Sequence, residues 1–291
     1  MKKFIIYIFK ILMISFLMLS LADIFYTYVY INSNNRNKIQ YVFNSKAQKY
    51  DLIILGSSRA NNHFDAEMFN KKGIKTFNFG MSGSRLSEDL LVLKLMIERN
   101  YKIKNILLEV DLNINTDGFS EGTRASFMPY IHNSETIKNY YKDLPNFNQI
   151  YYIPFYRYIK YESKIGFREM FFSGVHKQSV DFDHFGYYPL YGNNSDLKLN
   201  ITGYFPKKNK SYELIKIICK QNKINLITVT TPICSGCNNF EYFKQVKILY
   251  PEIHNYENVV KDDKYFSSCG HMNDKGAKIF TSRIISDFFN K

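Results

Sequence analysis

Short apolar runs alternate with amphipathic stretches through much of this 291-residue chain. Residues Asp51–Leu55 are mostly apolar and end at Gly56, which is the pattern of a parallel strand buried on both faces. Four similar runs follow at residues 75–79, 105–110, 225–230 and 257–260. Helical periodicity occurs at residues 87–100, 212–221 and 274–289. This alternation predicts an α/β domain over residues 51–291, with a parallel sheet of about five strands.

The first thirty residues follow a different pattern. Lys2 and Lys3 precede Phe4–Ala22, nineteen residues whose only charge is Lys10, and this stretch is long enough to span a bilayer. The leading lysines favour a cytoplasmic N-terminus. Residues 1–31 are therefore predicted to be a single transmembrane helix in the cytoplasmic membrane, followed by a stalk over residues 32–50 and an extracytoplasmic domain. Small residues near Ala22 leave a cleaved secretory signal as the alternative.

Residues from about 115 to 210 lack the alternation and are crowded with Tyr and Phe. They are predicted to form an insertion between the third and fourth strands of the domain. Open α/β sheets bind ligands beyond the carboxyl ends of their strands. The insertion is therefore either an aromatic lid or substrate platform, or a packed helical subdomain without a ligand role.

Composition and charge narrow the classes of function. With 45% hydrophobic and 17% aromatic residues, the chain is typical of a packed globular protein rather than a disordered one. The formal net charge of +13 suits anionic lipid, an acidic wall polymer or nucleic acid. The excess of Lys over Arg is also what AT-rich coding DNA produces. Predicted export and the lack of a groove-reading motif argue against nucleic acid.

Three loops next to predicted strand ends or helix starts carry residues suited to acyl chemistry. Gly56 permits a tight turn that presents the Ser58 hydroxyl. The loop after the second strand has two glycines three residues apart, and the N–H of Gly83 can approach a ligand closely, as an oxyanion site requires. His271 precedes the last helix, and a neutral imidazole is the usual base that activates a serine.

In this order along the chain, the three loops resemble the motifs of the SGNH (GDSL-like) hydrolases. The matching segments are Gly-Ser-Ser at 56–58, Met-Ser-Gly-Ser at 81–84 and His-Met-Asn-Asp-Lys-Gly-Ala at 271–277. The chain is more similar to their membrane-anchored branch, which includes lipoteichoic-acid D-alanylation and polysaccharide O-acetylation proteins. The resemblance runs from about residue 51 to the C-terminus. It implies a three-layer, flavodoxin-like fold, a Ser58 nucleophile with His271 as its base, and an oxyanion hole that includes Gly83 and Asn113.

The chain departs from the family pattern at Ser268, where an Asp usually precedes the histidine by three residues. That carboxylate holds the histidine in its productive tautomer and stabilises the imidazolium. Three arrangements stay open: a Ser–His dyad steadied by a backbone carbonyl, a substitute carboxylate from Asp262 or Asp263, or a catalytically inactive binding protein.

The resemblance implies a membrane-anchored, extracytoplasmic serine esterase or O-acyltransferase that acts on acyl groups of a cell-envelope glycan or polymer. No cofactor and no metal are expected. For a transferase, the resemblance also implies a polytopic membrane partner that delivers the acyl group. The alternative from another class is a non-catalytic envelope assembly or glycan-binding protein with an eroded site.

Smaller signals come from the cysteines and from two basic residues. An exported location favours a disulfide, either local or bridging two loops and involving Cys269, over free thiols. A zinc site is disfavoured because a second Cys pair at metal spacing is absent from the sequence. Arg59 and His63 either contact an anionic substrate or brace the loop that follows the first strand.

Overall fold

The structure, a computed structural model, describes residues 1–33, 35–193 and 197–290. Its strands are β1 Lys49–Leu55, β2 Thr76–Asn78, β3 Lys102–Glu109, β4 Leu199–Asn200, β5 Asn225–Val229, β6 Cys237–Asn238, β7 Phe266–Ser268 and β8 His271–Met272. Its helices are α1 Lys2–Ile31, α2 Lys38–Asn44, α3 Ser58–His63, α4 Ala66–Lys71, α5 Leu86–Glu98, α6 Glu121–Ala125, α7 Glu135–Tyr141, α8 Phe147–Tyr152, α9 Tyr156–Lys160, α10 Glu162–Ile165, α11 Phe167–Gly174, α12 Lys210–Gln221, α13 Glu241–Leu249 and α14 Asp274–Phe288.

These elements form two compact units. One contains Met1–Lys46 and Arg124–Gln178, and the other contains Ala47–Thr123 and Ser179–Lys291. The stretch at about 115–210, expected to be one insertion, is thus divided between the units. Its part in the first unit is helical, from α7 to α11.

The second unit is built on a parallel sheet with the strand order β2-β1-β3-β5. At the middle of the sheet, Ile53 lies opposite Phe77 on one side and Ile106 on the other. Leu52, Ile53, Ile54 and Leu55 are all inaccessible to solvent. Strands of parallel sheets read as continuous apolar runs because both of their faces are covered. The α/β class and the central parallel sheet predicted from the sequence are confirmed.

The expected fifth strand at residues 257–260 is wrong. Those residues form turns and bends, and the described sheet has four strands. The chain reaches the sheet edge three residues earlier, where His254 N donates to Thr228 O and His254 O accepts from Thr230 N, both at 2.9 Å. Tyr256 N then donates to the Thr230 side chain rather than to the backbone. The side-chain contact ends the ladder after a single bridge.

The helices of this unit form two contacting groups. α5 packs against α12, whereas α14 packs against α3 and α4. α5 is buried on most of its circumference, with Leu91, Leu93, Leu95 and Met96 all at or below 1% exposure. The side chains of Asn209 and Asn273 cap α12 and α14 by accepting from backbone N–H groups of the first turn. The three helices predicted at 87–100, 212–221 and 274–289 are confirmed to within two residues at each end.

The first unit is held together by aromatic packing around α1 and α2. Tyr30 near the end of α1 stacks on Tyr158 of α9, with ring centroids 6.1 Å apart. Phe43 of α2 stacks on Tyr130 at 4.2 Å. Within the described residues, α1 is the one helix long and apolar enough to cross a membrane. The Tyr- and Phe-rich composition of residues 124–178 is therefore explained by packing against the N-terminal helices.

Gly56 and Gly73 offer a matched test of the turn after β1. Both have positive φ, at +138° and +78°, but a Cβ on Gly56 would lie 2.8 Å from Ala60 Cβ and from Glu109 Cβ, whereas one on Gly73 meets nothing within 4 Å. We expect Gly56→Ala to lower the free energy of unfolding by about 3 kcal/mol or more, through strain and overlap. Gly73→Ala should cost about 1 kcal/mol, from backbone strain alone. Thermal unfolding of the purified protein in detergent measures both, and equal effects would contradict the crowding of Gly56.

Candidate active site

Ser58 and His271, far apart in sequence, are brought into hydrogen-bond contact. Ser58 begins α3 directly after β1, and His271 begins β8 just before α14. The distance between Ser58 Oγ and His271 Nε2 is 2.8 Å. On its other side, the ring nitrogen Nδ1 lies 3.2 Å from Ser268 Oγ. With a proton on Nδ1 donated to Ser268, Nε2 is left as an acceptor for the Ser58 hydroxyl, which is the tautomer a general base needs.

The partner of His271 Nδ1 is therefore a hydroxyl, and neither a backbone carbonyl nor a substitute carboxylate takes its place. Asp263 accepts hydrogen bonds from the N–H and the hydroxyl of Ser235. Asp262 accepts from Lys264 N and pairs with its ammonium group. Asp262 is thus used within its own loop, and Asp263 binds the loop after β5, so neither carboxylate is a partner of His271 Nδ1. Ser268 takes the position that the sequence resemblance assigns to Asp.

The His271 imidazole is strongly biased towards its neutral form. Burial, and to a smaller extent the positive charge of Arg59, together lower the pKa of His271 to about 4. The contact to Ser268 adds no negative charge that could raise the pKa again. His271 is consequently a neutral acceptor at every pH well above 4.

The β7–β8 hairpin that carries His271 is fixed to its surroundings at several points. His63 Nε2, buried in α3, accepts from Met272 N at 3.1 Å. A disulfide joins Cys269 to Cys234 in the loop after β5, and Cys234 N also donates to Cys269 O. Asn273 Nδ2 donates to Lys264 O at 2.8 Å. Of the two disulfide arrangements that the sequence left open, the structure has the loop-bridging one with Cys269, and these contacts hold the imidazole against Ser58.

His63 and Arg59 act as braces in a buried network. His63 Nδ1 lies 2.9 Å from Thr231 Oγ1, and Arg59 Nε lies 2.6 Å from Asp111 Oδ2. Asp111 also accepts from the N–H and the hydroxyl of Thr231. Burial, with the charges of Arg59 and His271, lowers the pKa of His63 well below its usual value. A neutral His63 can both donate to Thr231 and accept from Met272, so the network needs it uncharged.

A second buried carboxylate, Glu109 at the end of β3, holds the turn that precedes Ser58. Its Oε2 accepts from Ser57 N at 2.8 Å and from Ser57 Oγ at 2.6 Å. Asp89 of α5 accepts from Gly56 N, and burial together with Glu109 and Glu88 raises its pKa well above the usual value. Neither carboxyl group was predicted to belong to the site. The available signal for Glu109 was an acidic residue at the end of an apolar strand, whereas Asp89 has the pattern of an ordinary first-turn acid of α5.

The candidate oxyanion donors differ in what they contact. Ser84 Oγ and Met81 N both donate to Gly56 O, which holds the loop containing Gly83 against the loop containing Ser58. Among the described residues, the N–H groups of Ser58 and Gly83 donate to no protein acceptor. Asn113 Nδ2, by contrast, lies 3.4 Å from each oxygen of Glu109. The N–H groups of Ser58 and Gly83 are thus left available, and the Asn113 amide is oriented by a carboxylate.

A cleft of about 620 Å³ lies beside the start of α14. Its wall includes Asn273, two residues after His271. Its lining also includes two tyrosines, two lysines and one carboxylate: Tyr191, Tyr265, Lys264, Lys275 and Asp274. Tyrosine rings and lysine ammonium groups are suited to the faces of sugar rings and to anionic substituents.

No protein-family model matches the chain, and no curated protein matches it significantly.

The imidazole's low pKa can be tested directly. We expect His271 to titrate at about pH 4 in NMR spectra of histidine-labelled protein. Ser268→Asp should raise this pKa, because a carboxylate beside Nδ1 stabilises the imidazolium. Ser268→Asn, which introduces the neutral isostere of Asp, should leave the pKa of His271 low. A wild-type pKa near the ordinary histidine value would contradict the environment described here.

The disulfide is predicted to stabilise the second unit. Its half-cystines are 35 residues apart, and a bond of that kind contributes about 2–4 kcal/mol. A reductant should therefore lower the unfolding temperature of the wild type but not that of the Cys234→Ala/Cys269→Ala double variant. Cys219→Ala, which removes a buried free thiol, serves as the control and should keep the response to reductant.

Proposed function

We propose that the protein is a membrane-anchored serine esterase or O-acyltransferase of the SGNH type. The observation that carries this proposal is the Ser58 Oγ–His271 Nε2 contact of 2.8 Å, completed by Ser268 on Nδ1. A hydroxyl, a neutral base and a group that orients the base are the three parts of an activated serine. Two unpartnered N–H groups in adjacent loops supply the fourth part, an oxyanion hole.

In the first half of the reaction, Ser58 Oγ attacks the carbonyl carbon of an acyl ester while its proton passes to His271 Nε2. The carbonyl oxygen becomes an oxyanion that accepts from the N–H groups of Ser58 and Gly83. The intermediate collapses when the bond to the leaving oxygen breaks, and His271 returns its proton to that oxygen. The alcohol leaves, and the acyl group stays as an ester on Ser58.

In the second half, a water molecule or a sugar hydroxyl gives its proton to His271 and attacks the acyl-Ser58 carbonyl. The oxyanion forms in the same place, and its collapse releases Ser58 Oγ, which regains the proton from His271. Water gives a carboxylic acid, whereas a sugar hydroxyl gives a new ester. For the transfer reaction, the acyl donor would be delivered by a polytopic membrane partner.

The proposed substrate is an acylated glycan or polymer of the cell envelope, reached from the outer face of the cytoplasmic membrane. The length and apolarity of α1 support anchoring, and Lys2 and Lys3 support an N-terminus on the cytoplasmic side. The cleft lined by Tyr191, Tyr265, Lys264 and Lys275 supports a saccharide with anionic groups.

One observation favours a second function, a non-catalytic glycan-binding or envelope assembly protein. A hydroxyl at Ser268 stabilises the imidazolium less than a carboxylate does, and disturbing that position in serine hydrolases costs orders of magnitude in rate. If the Ser58–His271 pair hydrolyses esters too slowly to matter, the site would serve to bind the glycan.

Labelling with a fluorophosphonate probe separates the two functions. We expect the probe to modify the full-length protein in detergent at Ser58, because its hydroxyl has a base at hydrogen-bond distance. Ser58→Ala should abolish labelling, and His271→Ala should slow it by about a hundredfold or more. Ser268→Asp should speed labelling at neutral pH by about tenfold, since each pKa unit gained by His271 corresponds to about 1.4 kcal/mol.

Ser57→Ala is the control, because the adjacent hydroxyl is bonded to the Glu109 carboxylate and not to the His271 imidazole, and the variant keeps the bond from Ser57 N to Glu109 that holds the turn. It should keep the label, and peptide mapping should place the adduct on Ser58. A folded wild type that is not labelled, together with Ser58→Ala cells that retain normal envelope acylation, would support the binding protein.

A further inference from the structure

Asp23 fixes the level at which residues 155–157 contact α1. Its Oδ1 accepts from Arg157 Nη2 at 2.7 Å, and its Oδ2 accepts from Phe155 N at 2.8 Å. Arg157 also donates to Thr27 Oγ1, one turn further along α1. The Arg157 side chain is 1% exposed, so this charge-assisted contact is shielded from water. The chain around residues 155–157 therefore lies beside Asp23.

Asp23 is also the first charged residue of α1 after Lys10, and the run beyond it, residues 24–31, carries the three tyrosines of an expected outer aromatic belt. Phe4–Ala22 comprises nineteen residues, and a helix of that length rises about 28 Å, close to the ~30 Å hydrocarbon core of a bilayer. When α1 spans the membrane, Asp23 lies at the outer boundary of the hydrocarbon. The same boundary then passes beside the α8–α9 junction at residues 152–155.

The side chains exposed at this junction are apolar or aromatic. Tyr152 is 70% exposed and Ile153 is 47% exposed. A tyrosine ring and an aliphatic side chain at this level suit the membrane interface, where amphipathic rings are enriched. Exposed Lys160 at the end of α9 adds a positive charge that suits anionic headgroups.

We propose that residues 152–155 dip into the outer interface of the membrane that α1 spans. The protein then contacts the bilayer in two places, through a spanning helix and through a loop bound to its outer end. This inference rests on the proposed membrane anchoring. It gives the exposed side chains of Tyr152 and Ile153 an apolar environment.

Another exposed apolar side chain in the same unit provides the contrast. α11 runs away from the boundary, because Gly174 lies beside Val29 whereas Glu169 pairs with Arg36. Phe167, at the far end of α11, is 63% exposed. It matches Tyr152 and Ile153 in exposure but lies away from the level of Asp23.

The chain has no tryptophan, so single-Trp variants report one position each. Full-length Tyr152→Trp, Ile153→Trp, Phe167→Trp and Leu12→Trp are reconstituted into phosphatidylcholine–phosphatidylglycerol vesicles, with and without lipids brominated near the headgroup or at mid-chain. Tryptophan at 152 and 153 should lose about half of its emission to the shallow bromines, as expected for side chains at the headgroup–acyl boundary. Tryptophan at 12 should be quenched by the deep bromines, and tryptophan at 167 by neither.

The outcomes separate this inference from the anchoring on which it rests. Quenching at 12 without quenching at 152 and 153 would show that α1 spans the membrane and that the loop does not touch it, which overturns the inference alone. No quenching at 12 would overturn the anchoring as well. Equal quenching of tryptophan at 153 and at 167 would show that lipid contact does not depend on lying at the level of Asp23. That result would also overturn the inference that residues 152–155 enter the interface.

Discussion

Two buried carboxylates at the end of β3 hold the candidate site in place. Glu109 binds the backbone and hydroxyl of Ser57, and Asp111 binds Arg59 and Thr231. Burying a carboxylate is costly unless its oxygens are satisfied, so each of these groups requires its neighbours to adopt one arrangement. The loops after β1, β3 and β5 are thereby fixed to one another. The position of Ser58 follows from this arrangement.

His271 is held by the same arrangement from the opposite side. Thr231 links Asp111 to His63, and His63 accepts from the backbone next to His271. The contact between serine and histidine is thus maintained by a neutral, buried histidine that takes no part in the proposed chemistry. Ser268 completes the orientation of the ring without adding charge. The site favours a weakly basic imidazole that stays unprotonated in mildly acidic surroundings.

Much of this could be read from the sequence because it depends on local patterns. Apolar runs ending in glycine predicted β1 and its turn, and helical periodicity predicted α5, α12 and α14. The expected strand at 257–260 failed because a side chain of Thr230 competes for the backbone N–H of Tyr256, which no periodicity reveals. The use of Ser268 and the bracing roles of Glu109 and Asp111 depend on contacts between distant loops. Such contacts leave no spacing rule in one sequence.

The disulfide between Cys234 and Cys269 also constrains how the chain reaches its native state. Cys237 is three residues from Cys234, whereas Cys269 is 35 residues away, and short loops close more readily in an unfolded chain. Oxidation before folding therefore favours the local bond, and the native bond must then be reached by exchange of Cys237 for Cys269. The selecting event is the formation of the hairpin that places Cys269 beside Cys234. The native disulfide and the Ser58–His271 contact therefore depend on the same hairpin.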